Sequence, residues 1–108
     1  MLGPEAYRIA RTAAHTYTMA YEQPVLYELG LLKPKTLLIA GEKDRAAIGR
    51  NRVNAQVRAS MGLWPEIARR AAQAIPDCRL VLLPDVGHIP HLEVPARFHA
   101  ELEAFLNE

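Results

Sequence analysis

Two short apolar runs constrain this chain more than anything else in it: Thr36-Leu37-Leu38-Ile39-Ala40, stopped by Gly41, and Leu80-Val81-Leu82-Leu83, stopped by Pro84. Neither alternates apolar with polar residues. A run that is apolar at every position suits a strand covered on both faces, as in a parallel sheet, whereas alternation would mark a strand with one wet face. Between the runs, Pro65 to Ile75 reads as a helix with Trp64, Ile67, Ala68, Ala71 and Ile75 on one face and Arg69, Arg70 and Gln73 turned outward. Strand, helix, strand predicts a parallel pair joined by a right-handed crossover.

The flanking segments are read in the same way. Pro4 to about Tyr21 is expected to be helical, with Tyr7, Ala10, Ala14, Tyr17 and Tyr21 recurring on one face and Gln23-Pro24 ending it. Val25 to Lys35, punctuated by Gly30 and Pro34, is a connection with a helical turn at residues 25–29. Arg45 to Met61 is polar, basic and aperiodic, a long excursion with a turn of helix around Asn54 to Ser60. A last helix starts at Pro95, with Phe98, Leu102, Phe105 and Leu106 at helical spacing. The fold class is therefore α/β, with an internal boundary near residue 30 between a helical segment, 1–30, and an α/β part, 31–108. Two strands are too few for a sheet to stand alone. The rest of the sheet is expected from a missing N-terminal region or from a partner, a homo-oligomer included.

Charge and cysteine content narrow the setting. Thirteen basic against twelve acidic residues leave a net charge of +1, which gives no electrostatic footprint for nucleic acid or an anionic membrane. Cys78 is the sole cysteine, so an internal disulfide is excluded and a reducing compartment fits. The stretch Met1 to Arg8 lacks the apolar run of a signal peptide, and no stretch approaches membrane-spanning length. The expectation is a soluble, cytoplasmic chain.

In open α/β sheets ligands bind beyond the carboxyl ends of the strands, so the residues just after each run are the first candidates for chemistry. After the first run comes Gly41-Glu42-Lys43-Asp44, and after the second Pro84-Asp85-Val86-Gly87-His88. Parallel strands place these exits on one edge of the sheet, so Asp44 and His88 are expected to meet. A carboxylate against an imidazole fixes the ring's tautomer and stabilises the imidazolium formed when the ring takes a proton from a nucleophile. Glu42 and Asp85 compete with Asp44 for the acid role. Gly41 is expected to let the chain turn sharply, and Gly87 to supply the conformation that points His88 over the sheet edge.

The stretch from Leu37 to Asp44, then Leu83 to Glu93 with Pro95 and Phe98, resembles the last third of an α/β-hydrolase-fold protein. The resemblance covers roughly residues 31–108 and implies the C-terminal part of such a sheet. In it Asp44 would be the triad acid and His88 the triad base. Residues 1–30 resemble, more weakly, the end of the family's cap region. The implied activity is cleavage of a small ester, amide or related bond in a small-molecule substrate. No cofactor is implied, because triad hydrolysis needs only water.

The departure from the family pattern is equally specific. In the family the nucleophile, in G-x-S-x-G, precedes the acid. The only serine here is Ser60, in Ala59-Ser60-Met61-Gly62, after Asp44 and without the elbow glycines. Cys78 opens a strand at the wrong edge, and no loop for an oxyanion hole is present. The isolated chain is expected to be inactive. The alternative is a shortened, non-catalytic α/β module that pairs through its open sheet edge with itself or a partner.

Other residues have plainer readings. His88 and His91 form H-x-x-H, but Pro90 between them is expected to bar the regular helix on which metal-binding pairs converge, so no metal site is predicted. His15 and His99 are expected on solvated helix faces. Lys43, Arg45, Arg50, Arg52 and Arg58 are expected in a solvated loop, and Tyr7, Tyr17, Tyr21, Met19 and Trp64 either line a pocket under a cap or belong to the core.

Overall fold

The computed structural model describes residues 3–108, so Met1 and Leu2, part of the N-terminal stretch considered above, lie outside the described residues. Two parallel strands form its centre, β1 (Thr36–Gly41) and β2 (Cys78–Leu83). They pair from Thr36 opposite Cys78 to Gly41 opposite Leu83. β2 begins two residues before its apolar run because Cys78 and Arg79 find partners in Thr36 and Leu37, so backbone pairing, not side-chain polarity, sets that boundary.

Among the described residues five helices and two 3₁₀ turns surround the pair in chain order. Helix α1 spans Pro4–Glu22, with a 3₁₀ turn at Leu26–Leu31 after it. The loop after β1 holds a second 3₁₀ turn, Arg50–Arg52, and a short helix α2 (Ala55–Ala59). Asn54 starts α2 by accepting the Val57 N–H on its side-chain oxygen at 2.9 Å. The segment read as aperiodic is thus ordered by capping and turn bonds, which leave no apolar period to detect. Helix α3 (Trp64–Ala74) makes the crossover and packs across both strands. The C-terminal part comprises α4 (Pro90–Glu93), then α5 (Pro95–Leu106), both touching β1.

The core lies between α3 and the strands, where Ala68, Ile75, Leu83 and Val86 are the buried apolar residues among those described. At the entry ends of the strands Glu108 receives both Lys35, at 2.6 Å, and Arg79, tying the C-terminus of α5 to β1 and β2. The hydrogen bond from Lys35 holds the Glu108 carboxyl below the usual carboxylate range, against the opposing effect of desolvation. Helix α1 buries no residue; on its aromatic face Tyr7 is 70% exposed, while Tyr17 and Tyr21 face Ile48 and Gly49 of the loop after β1 across a cavity. The core reading of Tyr7, Tyr17, Tyr21 and Met19 is replaced by an exposed one, because more than half of each remains open to solvent. The radius of gyration, 16.5 Å, exceeds the ~13 Å of a compact domain of this length. No helix among the described residues is long and apolar enough to cross a membrane.

Candidate active site

The two strand exits are stitched together by their own backbones. The Glu42 N–H donates to the Leu83 carbonyl at 3.0 Å and the Lys43 N–H to the Val86 carbonyl at 2.8 Å, so the ladder continues past the last paired residues. Gly41 sits where these segments cross. A Cβ there would overlap the carbonyl oxygens of Val86 and Gly87, so glycine is required by close approach of backbone to backbone and not by a sharp turn. The residue in the left-handed region is Asp85, φ 61°, and not Gly87. An Asp tolerates that region better than most side chains.

Asp44 and His88 meet at this junction. Asp44 Oδ2 lies 2.9 Å from His88 Nδ1, and the other oxygen, Oδ1, accepts the Ala46 N–H at 2.8 Å. Asp44 is 6% exposed, the one buried charged residue among those described. A buried carboxylate needs partners for its lone pairs, and both oxygens have one. Because a carboxylate only accepts, Nδ1 is the donor, and in the neutral ring the lone pair is on Nε2. The His88 side chain is 62% exposed and no described residue bonds Nε2. The ring is thus anchored on its inner nitrogen and open on its outer one.

The competing acids are placed elsewhere. Asp85 pairs with Lys43 at 2.9 Å on the surface, and that hydrogen bond, with the charge of Lys43 second, holds its carboxyl below the usual range. Glu42 is exposed and contributes its backbone. Ser60 gives its hydroxyl to the Val57 carbonyl at 2.7 Å, closing α2. Cys78 opens β2, at the end away from His88, and burial, with Asp77 second, pushes its thiol pKa up, away from the thiolate a nucleophile needs.

Trp64 plays a part that the sequence did not advertise. Its indole N–H donates to the Ala46 carbonyl at 2.7 Å, while the Ala46 N–H holds Asp44, so α3 reaches the acid through one residue. Trp64→Phe, which keeps the ring but deletes that donor, is expected to cost about 1 kcal/mol, read as a lower urea midpoint with an unchanged slope. An unchanged midpoint would show that the bond contributes nothing. Trp64 and His88 also line an open cavity of about 390 Å³ with Tyr17, Ile48 and Asn51. Tyr17 and Trp64 therefore take the pocket reading.

Pro90 is the first residue of α4, where its missing N–H has no bond to lose, so His88 lies outside the helix that holds His91 and the two do not share a regular helix. His91, inside that helix, lies against the Phe98 ring at 5.7 Å between centroids. Among the described residues no group of three or more His, Cys, Asp or Glu is placed to hold a metal ion. His15 and His99 are exposed. Of the basic group, Lys43 is paired with Asp85, and Arg58 braces the excursion by donating to the Arg50 and Val53 carbonyls at 3.1 and 3.0 Å.

Residues 2–101 match the Alpha/beta hydrolase family. The chain belongs to that family. A crystal structure of a probable hydrolytic enzyme from Pseudomonas aeruginosa is similar to this α/β-hydrolase chain, at 41% identity and a TM-score of 0.90 over 96% of it. The chain spans 33% of that enzyme's length. No curated protein matches it significantly.

Proposed function

We propose that this chain is the acid-and-histidine part of an α/β-fold hydrolase that cleaves a small ester, amide or related bond. In this reading residues 1–30 are the end of a cap region and residues 31–108 the C-terminal portion of the hydrolase domain. The observation that carries it is the 2.9 Å contact between buried Asp44 and the inner nitrogen of His88, with the outer nitrogen free. His88 Nε2 takes the proton from a nucleophile's hydroxyl as that oxygen attacks the substrate carbonyl. It then passes the proton to the leaving group, and repeats the cycle with water to release the acyl product. Asp44 stays ionised throughout and stabilises the imidazolium. The nucleophile and the oxyanion donors belong to a part of the fold that these 108 residues do not contain. A reducing, cytoplasmic setting belongs to the same reading, since Cys78 has no partner cysteine in the chain.

The test follows from the likeness to the Pseudomonas aeruginosa enzyme. Grafting this chain in place of the segment it matches should give a chimera that hydrolyses a small activated ester and is labelled by an organophosphonate ester. Hydrolysis that is indifferent to His88→Ala would end the reading.

A second reading has one observation in its favour. Among the described residues each strand pairs on one side only. Such an edge is a template for pairing. Under this reading the chain alone is a cooperatively folding oligomer in sedimentation velocity, with an unfolding midpoint that rises with concentration. Under the first reading it is a poorly folded species that gains a sharp transition only within the chimera.

A further inference from the structure

We propose that Glu93 is a positioning residue for His88, its one carboxylate gripping the N–H groups of the residues on both sides of the histidine. Glu93 Oε1 accepts the Gly87 N–H at 3.0 Å and Oε2 accepts the Ile89 N–H at 3.1 Å. The Val86–Gly87 and His88–Ile89 peptide links, which bracket the link that carries the His88 N–H, are thereby tied to one planar group through two charge-assisted hydrogen bonds. The consequence for catalysis rests on the function proposed above. The mechanical claim does not.

Three observations converge on it. The His88 ring has a single protein hydrogen bond, to Asp44, and most of its side chain is exposed, so packing does little to hold the residue. Its aim depends on the backbone that carries it. Gly87, whose φ is not in the left-handed region, lies close against the same carboxylate: a Cβ there would sit 3.2 Å from both Glu93 oxygens, so a side chain at 87 would push the clamp back by a few tenths of an ångström. Glu93 is itself anchored, because its N–H donates to the Ile89 carbonyl at 3.0 Å and that of Val94 to Pro90 at 2.9 Å. The bond to Ile89 resembles an ordinary helix-capping contact at the start of α4. The bond to Gly87 lies outside the helix and is what capping does not require.

The experiment compares wild type, Glu93→Gln and Glu93→Ala in the chimera, with ¹⁵N labelling to follow the amides of Gly87 and Ile89 and the ring nitrogens of His88. Wild type should show both amides protected and a proton held on His88 Nδ1. Glu93→Ala should speed exchange at both amides by about tenfold or more and merge the Nδ1 proton with solvent, in a chain with an unchanged far-ultraviolet spectrum. Glu93→Gln has one acceptor oxygen, so it should keep one amide protected and show an intermediate ring signal. Gln keeps the size of Glu, so it decides the matter should the Ala variant not fold. A mere cap would expose Ile89 and leave Gly87 and the His88 proton as they were. That outcome, or a wild type with neither amide protected, overturns the proposal. In the chimera, Glu93→Ala should lower kcat by roughly 10²-fold with KM unchanged, as a small misplacement does, and should have no further effect on top of His88→Ala. Turnover indifferent to His88→Ala would refute the proposed function while leaving the amide result to judge Glu93.

Discussion

Replacing His88 by Ala in the chimera is expected to lower kcat by roughly 10⁴- to 10⁶-fold, the range over which loss of a triad base has its effect. KM should hardly move, because the imidazole accepts its proton only as the bond is attacked and contributes little to ground-state binding. Asp44→Asn should cost about 10⁴-fold by a different route. The amide keeps the volume of the buried acid, but its NH₂ can replace the acceptor now facing Nδ1 and so favour the wrong tautomer of His88. The two losses should not add, since each disables the same proton relay. Steady-state kinetics on the two single variants and the double variant check this. A double variant slower than either single by the product of their factors would mean that the residues act independently, against the 2.9 Å contact between them.

The second large effect concerns stability. Gly41→Ala places a methyl group against the carbonyl oxygens of Val86 and Gly87, which are backbone atoms and cannot rotate away. The strand exits must separate, and with them the hydrogen bonds from Glu42 to Leu83 and from Lys43 to Val86. Overpacking of this kind costs about 3 kcal/mol, a large share of the 5 to 15 kcal/mol typical of a whole domain. Urea unfolding of the chimera should show the loss as a lower midpoint. Since Asp44 and His88 are carried by the two exits, activity should fall in the molecules that remain folded. Wild-type stability with wild-type turnover would mean that the junction has room that its geometry denies.

Much of this was legible in the linear order of residues, and the reason differs from element to element. The strands and α3 announce themselves because burial on two faces demands apolar residues at every position and burial on one face demands a helical period. The edge at which an acid meets His88 was legible because parallel strands deliver their exits to one side of the sheet, and the resemblance ranked Asp44 ahead of Glu42 and Asp85 for that acid. The turn at Pro90–Glu93 was hidden, since a four-residue helix has no period to read and its proline resembles a stop. Trp64 and Glu93 were hidden for another reason. Both act on backbone groups, through the Ala46 carbonyl and the Gly87 and Ile89 N–H groups, and a backbone partner leaves no mark in sequence.

What the sequence by itself determined is the α/β class, the parallel pairing of β1 with β2 and the identities of the groups brought to its edge. Those follow from hydrophobic pattern and from the chirality-limited ways of joining strands. Only the tertiary structure decided which acid faces the histidine, since Glu42, Asp44 and Asp85 are all within reach of the exits. Asp44 is buried with a partner on each oxygen, while Asp85 is drawn off by Lys43. It alone also decided why position 41 is glycine: the space around it is filled by backbone carbonyls. Steric room and the direction of a lone pair are properties of three-dimensional placement. No pattern of residue types encodes them.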